Sequence, residues 1–192
     1  MKVLTSSSTA SRPGAASLGF FALAIGAIAM RFVPHWPNFT PLGAMLLMCG
    51  AWMAIKHLWF PVAAIVASDF ILTGLLYHAA PTVDQYFTWA GWGIFLLLGW
   101  SLRGRVRLGR VAATTVGGSV VFFLISNFGV WFSGLMYPRT LAGLETCYAA
   151  GLPFALNEAL GDLFYAAVFF TAYAALRHWL RQRQAAASLV SA

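Results

Sequence analysis

Residues 58–77 form an apolar run that contains one charged side chain, Asp69, and the run is one of six of similar kind along the chain. The others are residues 17–32, 42–55, 86–102, 111–133 and about 160–180. The hydrocarbon core of a bilayer is crossed by roughly 20 consecutive apolar residues in helical form. Within it, only helices and closed barrels satisfy every backbone N–H and C=O. The pattern therefore predicts an all-α integral membrane protein, a bundle of six transmembrane helices. The run 42–55 is short for a span. It is expected either to gain length from residues 34–41 or to pack against neighbours and dip only part of the way. Pro34, Pro37 and Pro41 break regular structure just before it. Irregular backbone of this kind must line a protein cavity or lie at the membrane interface.

Only 9% of the 192 residues are charged and 60% are hydrophobic, against roughly 25% charged in soluble domains. A water-facing surface cannot be made from so few charges. The 16 Phe, 8 Trp and 6 Tyr suit contact with lipid and its headgroup boundary. A net charge of +7 would point to nucleic acid if the basic residues shared one wet face with exposed aromatics. They stand instead in short runs between apolar stretches, so no nucleic-acid partner is expected, and the charge is read as an orientation signal and a contact for anionic lipid.

With the N-terminus inside, Lys2, Arg12, Lys56, Arg103, Arg105, Arg107, Arg110, Arg177, Arg181 and Arg183 fall on the cytoplasmic side, and only Arg31 and Arg139 fall outside. The acids Asp84, Glu145, Glu158 and Asp162 all fall outside. This predicts a multi-pass protein of a bacterial inner membrane with both termini in the cytoplasm. Residues 1–16, rich in Ser and Thr, read as a disordered cytoplasmic tail, 17–182 as the transmembrane domain and 183–192 as a second tail. A signal-peptide core over 17–32, with Ala27-Ile28-Ala29 as cleavage site, is the alternative; a retained first helix fits the charge pattern better.

A carboxylate inside a span, such as Asp69, either marks a functional site or locks helices together. Ser126 and Asn127 lie at matching depth in the fifth helix, and Asn157, Glu158 and Asp162 at the outer mouth of the sixth. Arg31 and His35 close the first helix on the same side. Residues 134–160, interrupted by Gly143, Gly151 and Pro153, read as a long loop, either a lid over a site or a tether. The expected site is an outward-facing pocket for a small molecule, with Asp69, Asn127, Asn157 and Asp162 at depth and His35, Asn38, Arg139 and Tyr148 from the cap. HExxH, GxSxG and P-loop patterns are missing from the sequence, so no catalytic set, metal or cofactor is expected. Cys49 and Cys147 form no redox or ligand spacing. Ala22 and Gly26, four apart on the first helix, would admit close approach of another helix, from a partner or from within the chain.

The segments Arg31-Phe-Val-Pro-His35-Trp-Pro-Asn38-Phe-Thr-Pro41, Ser68-Asp69, Ser126-Asn127-Phe-Gly-Val-Trp131, Tyr137-Pro138, Gly143-Leu-x-x-Cys147-Tyr148 and Gly161-Asp162-Leu resemble the signature of a family of small bacterial membrane proteins of unknown function that carries a transport label. The resemblance spans most of residues 31–170. The size and helix plan are similar to the S components of energy-coupling-factor vitamin transporters and to solitary vitamin B12 importers. The resemblance implies substrate capture or solitary import of a vitamin-like micronutrient, with a coupling subunit docked on the first helix at Ala22 and Gly26. Cobalamin is one implied solute, for which Cys147, His78 or His35 would be the axial ligand. Two other readings stay open: a membrane-embedded enzyme or proton-linked carrier in which Asp69 titrates, and a structural or assembly subunit without a small-molecule site.

Overall fold

The computed structural model describes residues 15–76 and 78–190. Residues 1–14 and 191–192, which hold most of the expected N-terminal tail, lie outside the described residues. Six α-helices follow in order: α1 (Ala15–Ala29), α2 (Leu42–Trp52), α3 (Trp59–Phe70), α4 (Asp84–Ser101), α5 (Leu108–Ser133) and α6 (Leu141–Val190). A 3-10 turn, Met30–Phe32, ends α1, and α3 runs on into a π-helical turn, Ile71–Leu76.

Helix number agrees with the six apolar runs, but six transmembrane helices do not. Among the described residues, three helical segments are long and apolar enough to cross a membrane: Ile55–Leu76, Leu108–Ser133 and Leu141–Arg183. At 1.5 Å per residue, the 11 residues of α2 reach about 16 Å, half the hydrocarbon thickness. Every residue from Leu42 to Ala51 is buried, so this run is apolar because it is the protein's own core. Composition alone does not separate that case from a lipid-facing span. The first turns of α4 carry Asp84, Gln85 and Thr88, which dilutes its hydropathy.

Around α2 the helices approach through glycine. A Cβ on Gly50 would collide with the Leu96 carbonyl of α4, and one on Gly99 of α4 would collide with the Leu47 carbonyl of α2. Small residues at a crossing let backbones touch where lipid offers no hydrophobic drive for association. Met45, Leu46, Leu47, Phe95 and Leu102 fill the surrounding core. The C-terminal carbonyls of α2, orphaned by helix geometry, are taken up by Arg103. Its Nε donates to Gly50 O at 2.8 Å and its Nη2 to Met53 O at 2.7 Å. Charge-assisted bonds of this kind are worth about 1.5–3 kcal/mol each. Arg103→Ala is therefore expected to lower the unfolding midpoint measurably in detergent, and Arg103→Lys, which loses the fork geometry, to recover only part of it.

The expected loop over 134–160 is mostly helix. Only a short connection precedes α6, which runs 50 residues and includes Pro153. The supposed breakers are packing positions: a Cβ on Gly143 would strike the Pro138 carbonyl, and one on Gly151 the Asn127 side chain. Gly134, at φ +69, supplies the turn that ends α5. The lid reading is thereby replaced by a helical wall. The expected tail 183–192 continues as helix through Val190.

Candidate functional site

The chain reverses at each connection, so the ends of α1, α3 and α5 meet the beginnings of α2, α4 and α6. There they border an open cavity of about 520 Å³, within the range of roughly 300–1,000 Å³ typical of small-molecule sites. Arg31, His35, Asn38 and Thr40 line it from the α1–α2 connection, Asp69 and Thr73 from α3 and its π-turn, Thr88 and Trp92 from α4, Ser126 and Asn127 from α5, and Phe154 and Glu158 from α6.

One wall is an ion pair. The Arg31 guanidinium donates to Asp69 Oδ1 and to Ser68 Oγ, and the Trp89 indole N–H donates to Asp69 Oδ2. Both Asp69 oxygens are thus engaged within the chain, which is how a carboxylate buried to 7% exposure is accommodated in an apolar surround. The π-helical turn begins two residues later, a local widening often found beside functional residues. It brings Thr73 Oγ1 within 2.8 Å of Gln85 Nε2, which donates to it.

The opposite wall comes from α6. Glu158 is 4% exposed, and its Oε1 has no hydrogen-bond partner among the described residues. One turn on, Asp162 is 1% exposed and differs in kind: Ser119 Oγ donates to its Oδ2 at 2.9 Å, and the backbone N–H of Ala44 donates to it as well. Ala44 lies in the first turn of α2, where N–H groups lack intrahelical partners. Asp162 therefore caps α2 from a neighbouring helix. Gly43 must be glycine because a Cβ there would meet this carboxylate.

Of the expected site residues, His35, Asn38, Asp69 and Asn127 line the cavity, whereas Arg139, Tyr148, Asn157 and Asp162 do not. Arg139 Nη2 donates to Ser133 O at 3.1 Å and its guanidinium lies over the Phe132 ring, at the end of α5. Tyr148 Oη donates to Leu124 O at 2.7 Å, tying α6 to α5. Arg31, Thr40, Thr73, Thr88, Trp92 and Glu158 were not in the expected set. The usable signal for Arg31 was its isolation: it stands with Arg139 as one of two arginines among the side chains assigned to the acidic side. Of the proposed axial ligands, only His35 lines the cavity, and its Nδ1 lies 2.6 Å from Val33 O. Cys147 is buried, with its thiol donating to Asn127 O at 3.3 Å. Among the described residues, no group of three or more His, Cys, Asp or Glu converges on a metal position.

On α1, Ala22 and Gly26 are exposed, and the space beside Gly19 and Gly26 is open, so this face does not serve internal packing among the described residues. The long apolar helices and the buried Asp–Arg pair give the protein a membrane-associated character. No curated protein and no solved structure matches the chain. A family model does, over residues 13–186 and so across nearly the whole length, and the chain belongs to that family, described as a family of unknown function, DUF6580.

Proposed function

We propose that the protein is a membrane-embedded capture component, or solitary importer, that binds a small polar solute in the cavity between the helix ends. The observation that carries this reading is the cavity itself: about 520 Å³, with an ion pair, several hydroxyls and a buried carboxyl group on its wall. Polar and charged groups kept at such depth are costly and mark solute paths. The arginine-rich connections lie at the opposite helix ends, near Lys56, Arg103 to Arg110 and Arg177 to Arg183. The bias of basic residues toward the cytoplasm then puts the cavity on the outer side. The volume suits a vitamin-sized solute and is small for a corrinoid, which we do not favour.

Ala155 lines the cavity and is only partly buried, so Ala155→Trp fills the space from a tolerant position. Protein purified in mild detergent and then denatured is expected to release a small molecule detectable by mass spectrometry, and Ala155→Trp of unchanged melting temperature to release at least tenfold less. Equal amounts from both, or none from either, would remove the basis of the capture reading.

A further inference from the structure

One acidic group on the cavity wall has no partner among the described residues. Arg31 and Asp69 neutralise each other, and the Trp89 N–H occupies the remaining Asp69 oxygen. His35 is exposed and sits against its own backbone at Val33 O. Among the charged side chains on the wall this leaves Glu158, nineteen-twentieths buried, with an oxygen that nothing in the described chain contacts by hydrogen bond. A buried acceptor without a donor costs about 1–3 kcal/mol, more if charged, and a ligand that brings a donor or a positive charge to it offsets that cost.

Aromatic rings line the same cavity. Trp92 and Phe122 pack with centroids 4.3 Å apart on the cavity wall, and Phe123 and Phe154 join them. The faces of such rings attract cations, most strongly when desolvated. An acidic group without a partner in the chain, on a wall that also carries aromatic rings, is complementary to an organic cation.

Resting on the capture reading above, we infer that the solute is a small organic cation, an amine or quaternary ammonium, whose charge is received by Glu158 and the rings of Trp92, Phe122, Phe123 and Phe154.

Choline and its uncharged carbon isostere, 3,3-dimethylbutan-1-ol, test this with pivalate as the anionic counterpart. Binding to the purified protein in maltoside detergent is measured by calorimetry and by shift of the melting temperature. Choline is expected to bind wild type at least tenfold more tightly than the isostere, with no binding of pivalate. Glu158→Gln, which keeps the shape and removes the ionisable group, is expected to lose at least tenfold in choline affinity and nothing in isostere affinity. The wild-type comparison stands even if that variant fails to fold. If the isostere or pivalate binds wild type as well as choline does, or if folded Glu158→Gln holds choline unchanged, the cation inference is overturned while capture survives. If none of the three probes binds wild type and no co-purified molecule is found, both fall together.

Discussion

Arg31→Met is expected to cost about 3–5 kcal/mol of stability, the range seen when one member of a buried ion pair is removed and the other is left uncompensated. The expectation follows from position: the Arg31 and Asp69 side chains are 17% and 10% exposed, so water screens the pair little. The pair joins the end of α1 to α3, and the guanidinium also holds Ser68. Arg31→Met/Asp69→Asn should recover most of the loss, because the amide oxygen still accepts from Trp89 and no charge remains buried. Thermal unfolding of the four proteins in one detergent completes the double-variant cycle. A single variant as stable as wild type would show that the pair is solvated and that the cavity wall is not built as described.

Gly99→Ala is expected to lose about 1–3 kcal/mol or more although it adds one methyl group, and Gly99→Leu to yield no folded protein. The added carbon meets backbone, the Leu47 carbonyl, rather than a side chain that could swing away. Relief would require α2 and α4 to separate and would open the core around Phe95 and Leu47. Gly93→Ala, six residues earlier on the same helix, is the control: nothing lies near its Cβ, and the helix preference for Ala over Gly predicts a gain of up to about 1 kcal/mol. Equal effects at the two positions, read as melting temperatures, would refute glycine-mediated contact between these helices.

The end of the bundle that holds the polar side chains was legible in the sequence. Counting along the apolar runs placed Asp69 and Asn127 at matching depth and His35 in the cap on the same side, and all three line the cavity. Span number was not legible, because α2 is apolar and buried in protein while α3 is apolar with most of its side chains outside the core, and the two cases leave the same composition. Nor was the structure of residues 141–160. Gly143, Gly151 and Pro153 read as interruptions in one dimension, while in space the glycines receive Pro138 and Asn127. The division of labour between Glu158 and Asp162 was also hidden: Asp162 is committed by Ser119, 43 residues away in sequence, and Glu158 is left free by geometry that spacing does not encode.

Helix α6 ties these parts together mechanically. Fifty residues at 1.5 Å each make a rod about 75 Å long, more than twice the roughly 30 Å hydrocarbon layer. Gly151 and Glu158 sit toward one end of it, and Arg177, Arg181 and Arg183 toward the other. Pro153 removes one rung of its hydrogen-bond ladder beside the cavity, which makes that turn the natural fulcrum. Glu158 lies on the arginine side of Pro153, so a tilt about that turn would carry its side chain and the arginine tip together, and the cavity wall and the far end of the molecule would shift as one piece.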